Sequence, residues 1–346
     1  MDVQNNKTIW IDLKCPSDVH FFYSVMINLN KFRYLITTRK RAETHQLSIN
    51  YGMKGIQIGS DHQNHLLKGM YYFDRTFKLS MIKKEFDAIF SFEDAIGPIL
   101  GKFKNKPSYL FCDNDLKLNK SFSKFQKIES KFKNFADYLI IPEISIKEFI
   151  NNYSNPKIIT YNGYKENIYI SDFEPDPNFD LLDYIPNYVL IRPEAIGSFY
   201  VAEKKSIVPQ IVKLLKKENF NIVYLPRDPQ DFSYVSKDEV FIPPKIYKGL
   251  DLCYHSQAVL TGSGTLAREA AILGKTSVSF FPGSKLLSVD SDLIRKKKMI
   301  HTRDPKEIVN YILNSKEDKN YNYKTNSIKV RDELISKLGE TLDEEL

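Results

Sequence analysis

From Thr8 onward, short apolar runs alternate with longer stretches of helical periodicity, and this alternation restricts the possible folds more than any other feature of the chain. Strand-like runs fall at 8–13, 34–38, 55–58, 88–91, 108–111, 138–141 and 157–161, with helical stretches near 20–31, 42–51, 64–84, 94–102, 121–134 and 145–151 between them. Repeated strand-helix-strand order needs crossover connections, and these build parallel sheets covered by helices on both faces. After Pro175-Asp176-Pro177 the rhythm restarts, with strands at 188–192, 221–225, 239–242, 258–260 and 276–281. A chain of 346 residues accommodates two such units, each with its own core. The expected fold is α/β, with two doubly wound Rossmann-like domains facing across a cleft. The first covers residues 1–165 and the second 166–314; a polar linker and C-terminal helix cover 315–346, the helix running from Ser327 to Leu338.

One strand-turn-helix-strand stretch, Ala258 to Gly283, carries the chemical signal. Its strand breaks into Thr261-Gly262-Ser263-Gly264-Thr265, followed by a helical segment with apolar residues at Leu266, Ala270 and Leu273 and a stop at Gly274. Glycines at such a turn let backbone N–H groups come close to a ligand. The unpaired N–H groups of the first helical turn carry the positive end of the helix dipole. The predicted ligand group is a phosphate. Thr265 and Glu269, four residues apart, share a helix face, with Glu269 about 6 Å further along the axis. That spacing suits a nucleotide diphosphate at the turn with its ribose hydroxyls on the carboxylate; the alternative is a solvated helix acid. A capping box from Thr265 is excluded, because the residue three further on is Arg268.

Ligands in parallel sheets bind beyond the carboxyl ends of the strands, so the segment from Trp10 to Phe22, which follows the first strand, is the other place to look. It contains Asp12, Asp18 and His20: two carboxylates and an imidazole suited to proton transfer near neutrality. His20 is a candidate base or a packed first-turn residue, and Asp18 a candidate base or a helix cap. Arg192 and Glu194 follow the first strand of the second domain, while Arg227 and Asp228 follow the next. Arginine there can grip phosphate bidentately, or each pair can order its own loop. Asn162, Tyr164, Lys165 and Glu166, at the domain junction, either touch ligand or form a hinge.

Composition narrows the classes of function. Hydrophobic content of 42% with 27% charged residues describes a globular chain. No apolar run approaches ~18 residues, and the start MDVQNNKTIW lacks a signal-peptide pattern, so a cytoplasmic protein is expected. Cys15, Cys112 and Cys253 are scattered, which suggests neither disulfides nor a zinc site. The net charge of +7 comes from dispersed lysines and indicates no nucleic-acid patch; weak attraction to an anionic membrane surface, at the inner face, is compatible with it. Asp113-Asn114-Asp115 and Asp290-Ser291-Asp292 have an Asp-x-Asp pattern used by some transferases for metal, but such triplets are common in loops, and no metal or cofactor is expected.

Gly262 to Lys275 resembles the donor-nucleotide loop and helix of the GT-B superfamily, in particular UDP-N-acetylglucosamine 2-epimerases and the bacterial transferase that adds N-acetylglucosamine to lipid-linked muramyl peptide. The resemblance implies diphosphate binding at Ser263, Gly264 and Thr265, and ribose binding at Glu269. Over roughly residues 8–312, the order of several motifs is similar to the family known as domain of unknown function 354. These are Trp10-Ile11-Asp12 with Asp18-Val19-His20, Tyr161 to Glu166, Ile191 to Ala195, Leu225 to Asp228, Gly249 to Leu252 and the Gly262 stretch. In GT-B proteins a C-terminal helix commonly crosses back to the first domain. Cys112 departs from the polar residue that the family pattern leads one to expect.

The expected activity is therefore metal-independent transfer of a sugar from a nucleotide diphosphate donor, UDP-linked, to an unknown glycan or lipid-linked acceptor. The donor site would comprise Gly262, Ser263, Gly264, Thr265, Arg268, Glu269, Arg192, Glu194 and Arg227, with His20, Asp12 or Asp18 as base. Two alternatives stay open: a nucleotide-sugar 2-epimerase of the same fold, and a binding protein without turnover. Epimerases of this fold begin with a Gly-x-Arg-Pro-Glu type of loop, which Asp12 to His20 does not match.

Overall fold

Two all-parallel sheets account for the strand-helix alternation. The computed structural model describes residues 7–41, 43–60, 65–118, 124–196, 205–315 and 321–346. Part of the expected linker, residues 316–320, lies outside these, as do Ala42, Asn64 and residues 121–123 of three expected helical stretches. The chain forms two units, Met1–Tyr169 with Ser327–Leu346, and Ile170–Asn326.

Unit 1 contains β1 (Thr8–Leu13), β2 (Arg33–Lys40), β3 (Ile56–Ser60), β4 (Ala88–Phe92), β5 (Ser108–Phe111), β6 (Tyr138–Pro142) and β7 (Lys157–Tyr161). They lie in the order β3-β2-β1-β4-β5-β6-β7, each pair parallel. Helices cover both faces, so the central strands carry continuous apolar runs; AIFSF in β4 is buried at every position. Phe21 and Phe22 from the first helix meet Phe90, Phe92 and Phe111 of the sheet, mostly edge to face, with ring centroids 5.1–6.4 Å apart.

Unit 2 contains β8 (Tyr188–Arg192), β9 (Asn221–Tyr224), β10 (Ala258–Thr261), β11 (Thr276–Ser279) and β12 (Ile300–His301), in the order β12-β11-β10-β8-β9. The expected strand at 239–242 reduces to one bridge between Val223 and Phe241, because Pro243 and Pro244 follow and cannot donate to a ladder. β12 was not foreseen: two residues between a lysine run and Thr302 carry no periodicity.

Both sheets reverse direction of growth once, and each reversal opens a crevice at the carboxyl ends of two neighbouring strands. In unit 1 this switch point lies between β1 and β4, and in unit 2 between β8 and β10. The C-terminal helix is longer than expected, Tyr323–Glu345, and from Ser327 onward belongs to unit 1. Its buried residues Ser327, Val330, Leu334, Leu338 and Leu342 keep helical spacing. Gly163 allows its close approach: a Cβ there would lie 2.5 Å from Val330 Cγ1. Asn167 donates to Ser327 Oγ at 3.1 Å, and Lys337 to the Thr160 carbonyl at 2.7 Å.

Candidate functional site

The glycine turn falls at the switch point of unit 2. Gly262 follows β10 and its N–H donates to the Arg192 carbonyl at the end of β8 (3.1 Å), joining the two strands that border the crevice. Ser263 is the N-cap of the helix Gly264–Ile272, in extended conformation, and its side chain makes no cap hydrogen bond. The first N–H bonded within the helix region is that of Ala267, to the Ser263 carbonyl at 3.1 Å. The N–H groups of Gly264, Thr265 and Leu266 thus carry the positive helix end toward the crevice. Ser263, Gly264 and Thr265 are partly exposed, whereas Glu269, one turn on, is buried, which removes the reading of a solvated helix acid. Burial raises the thiol of Cys253, as does nearby Glu269, while Arg192 and Lys275 oppose the rise; Glu269 and Arg192 therefore act on the same buried group.

The turn is tighter than its sequence indicates. A Cβ on Gly262 would stand 2.5 Å from Glu194 Cα and 2.9 Å from Glu194 N, so only glycine fits. On Gly264 it would meet nothing closer than Arg268 Nη1 at 3.0 Å, the end of a flexible side chain. Gly262 is therefore the strict position.

Three expected donor contacts change their meaning. Arg268 is buried and pairs with Asp290 (2.9 Å), tying the helix to Ser288–Arg295. Glu194 does not pair with Arg192; it accepts from Arg303 Nη1 at 3.0 Å, Ser206 Oγ at 2.6 Å and the Ile207 N–H at 3.2 Å, which anchors the start of the helix Val208–Lys217. Both residues hold internal ion pairs beside the turn. Arg303 escaped the sequence reading because it lies far along the chain in a loop without a motif. Arg227 is exposed, and the backbone N–H groups of Arg227 and Asp228 bond Asp231 in a cap on the short helix Pro229–Tyr234.

In unit 1 the segment after β1 is helical sooner than expected, over Pro16–Asn28, since proline suits the first helical position. Asp18 is its third residue, not its N-cap: it accepts from the N–H groups of Lys14 (3.0 Å) and Cys15 (3.1 Å) and from Cys15 Sγ (3.1 Å). Burial raises its pKa against the pull of Lys14. Asp12 holds a buried bidentate pair with Arg75 (2.8 and 2.6 Å), with Thr37 Oγ1 a third donor at 2.6 Å. Both carboxylates are thus buried and held by partners of unit 1. His20 is half-buried, its Nδ1 2.8 Å from Tyr51 Oη, and its ring lies 5.7 Å from that of Tyr169.

A cluster of charges that the sequence reading passed over surrounds the β1/β4 switch point. Lys14 Nζ donates to the Glu93 carbonyl (2.8 Å), and Glu93, at φ 51°, accepts from the N–H groups of Asp113 and Asn114 and from Lys133 (2.9 Å). Asp94 Oδ1 accepts from Tyr72 Oη (2.7 Å) and the Ile96 N–H (2.8 Å); Oδ2 has no hydrogen-bond partner among the described residues. Burial pushes the Asp94 carboxyl up, but Lys14, Arg75 and its two donors outweigh that and hold it below the usual range. Lys165 pairs with Asp113 (3.2 Å) over the Phe92 ring. The other junction residues also sit inside unit 1: the Asn162 N–H donates to Glu333, the Tyr164 N–H to Asn167, and Glu166 is buried. The Asp-x-Asp carboxylates at Asp113, Asp290 and Asp292 all face lysine or arginine partners.

The family model for a protein of unknown function, DUF354, matches residues 7–338. The chain belongs to that family. An uncharacterized relative from Methanocaldococcus jannaschii is 30% identical over 314 residues, 89% of this chain and 91% of the relative. Among solved structures, this DUF354 protein resembles the UDP-N-acetylglucosamine 2-epimerase of Rickettsia bellii, with TM-score 0.73, 14% identity and 98% of each chain covered. It also resembles the glycotransferase of kitacinnamycin, with TM-score 0.61, 8% identity, and 99% of this chain and 100% of that one covered. At such identities the likeness establishes the fold, which is of the GT-B type. No described helix is long and apolar enough to cross a membrane.

Proposed function

We propose that this protein is a GT-B glycosyltransferase that takes a sugar from a nucleotide diphosphate, UDP-linked, and passes it to an acceptor held on unit 1. The reading rests on one observation above others: the Gly262–Thr265 turn at the β8/β10 switch point, with the buried Glu269 on the same helix. As the sugar leaves, negative charge grows on the diphosphate. The N–H groups of Gly264, Thr265 and Leu266, with Arg192 at the neighbouring strand end, are aligned to stabilise that charge without reorganisation. Glu269 takes the ribose hydroxyls.

His20 is the base. Its Nδ1 is hydrogen-bonded to Tyr51 Oη at 2.8 Å, which fixes the ring, and in the tautomer protonated at Nδ1 it is Nε2 that takes the acceptor hydroxyl proton. A second reading, 2-epimerisation of the same donor, is supported by Asp94, a buried carboxylate at the β1/β4 switch point with one oxygen lacking a hydrogen-bond partner among the described residues, the kind of group that elimination and re-addition require as proton acceptor. Incubation of purified protein with a panel of nucleotide sugars, with and without cell lipid and glycan extracts, separates the readings. Acceptor-dependent release of free nucleotide supports transfer, an altered sugar without acceptor supports epimerisation, and binding without turnover leaves a carrier. Absence of nucleotide-sugar binding would reject all three.

A further inference from the structure

We propose that unit 1 docks on anionic lipid bilayers through the outer face and C-terminal ends of the helices His65–Ser80, Ile96–Lys104 and Lys124–Lys133. Each of these helices precedes a strand of the parallel sheet, so they run side by side and end at the edge where β4, β5 and β6 begin. That edge is opposite the β1/β4 switch point.

The first helix carries two apolar stripes. Tyr72, Arg75 and Leu79 turn inward, and Leu79 and Tyr72 join the core around Trp10 and Phe86. Met70, Phe73, Phe77 and Met81, also at helical spacing, are 68%, 75%, 57% and 64% exposed. This second stripe joins none of the buried clusters of the described residues. The next helix ends on Phe103, 71% exposed, and the third adds Ile128, Phe132 and Phe135, all exposed. Single exposed apolar residues are ordinary, but large ones collected on three adjacent helices mark an interaction surface.

Charge identifies what covers it. Lys83, Lys84, Lys102 and Lys131 are exposed among these residues, and Lys104 lies over the Phe103 ring. Of the nearby carboxylates, Asp74 is paired with Lys78, Asp87 with Lys7 and Lys106, and Glu345 with Lys157, leaving Glu85, Glu129 and Asp137 against Lys83, Lys84, Lys102, Lys104 and Lys131. Phenylalanine and methionine protruding from convex helices, with lysines between them, fit the headgroup boundary of an acidic bilayer, where each lysine adds attraction and each apolar side chain inserts. The proposal makes no use of the donor site, so the two readings fail separately.

The test is co-sedimentation of the full-length protein with vesicles of phosphatidylglycerol and phosphatidylcholine, against phosphatidylcholine alone. Binding to the anionic vesicles only, weakening with salt, is expected. Phe73→Ser/Phe77→Ser and Lys83→Glu/Lys84→Glu should each reduce it by roughly tenfold or more. The melting temperature and the nucleotide-sugar affinity of these variants should match wild type, which shows that they fold. No binding to anionic vesicles, or equal binding by folded variants, overturns the proposal. So does a concentration-dependent dimer in ultracentrifugation that Phe73→Ser/Phe77→Ser disperses, since the face would then belong to a second copy.

Discussion

Replacing Gly262 by alanine adds one methyl group at the point where the donor turn meets β8. The new Cβ would stand 2.5 Å from Glu194 Cα, 2.8 Å from Glu194 Cγ and 2.9 Å from Glu194 N, all well inside van der Waals contact. Relief requires a backbone shift, since Glu194 is held by Arg303, Ser206 and the Ile207 N–H. Overpacking in a fixed core costs ~1–3 kcal/mol, and the rigidity of this neighbour places the change near ~3 kcal/mol. For a unit of this size that is a fall in melting temperature of roughly 6–12 °C. A displaced turn also misaims the N–H groups of Gly264 and Thr265, so, on the proposed donor role, affinity for whichever nucleotide sugar binds should fall by about tenfold or more, ~1.4 kcal/mol. Gly264→Ala is the milder comparison: its nearest contact is one side-chain atom, Arg268 Nη1 at 3.0 Å, which has only to give slightly while keeping its pair with Asp290, and the stability change should stay within about 1 kcal/mol. Thermal melts followed by circular dichroism, with calorimetric titration of each variant, give both quantities. Wild-type melting and affinity in Gly262→Ala, or greater harm from Gly264→Ala, would refute the account of the turn.

Glu269→Gln keeps the shape of the helix and should weaken nucleotide-sugar binding by roughly tenfold, a charged hydrogen bond being worth about 1.5–3 kcal/mol; unchanged calorimetric affinity would remove the ribose role. His20→Gln should lower turnover by ~10²–10⁴-fold with little effect on nucleotide affinity, and Tyr51→Phe should shift the pH profile of kcat; near-normal turnover in both would return His20 to a packing role. Arg75→Met strands the buried Asp12 carboxylate and should cost about 3–5 kcal/mol in chemical denaturation, an outcome that a surface ion pair would not produce. Nucleotide-sugar binding should survive EDTA, because helix N–H groups and arginine offset the diphosphate charge; loss restored by magnesium or manganese would point to Asp113 or Asp290.

Apart from the two-residue β12 and the expected strand at 239–242, the strands of both sheets were legible in the chain because a doubly covered parallel strand needs an uninterrupted apolar run, a local requirement written in consecutive residues such as Ala88 to Phe92. The glycine turn and its helix were legible for the same reason: strand, turn and cap signals lie within a few positions of each other. Helix starts were less so. The helix expected near 20–31 begins at Pro16 instead, because a cap is defined by where the backbone bends, and Cys15 is an unusual residue for that place. The partners of the charged residues were out of reach altogether. Glu194 meets Arg303, Arg268 meets Asp290, Asp12 meets Arg75, and Glu93 meets Lys133, across separations of 22 to 109 residues. Such pairs depend on strand order and crossover direction, which bring distant loops to one crevice, and a side chain's charge has no sequence periodicity from which a partner could be read. Only the tertiary structure therefore decided which carboxylates are paired inside each unit, and why the glycine that cannot change is Gly262.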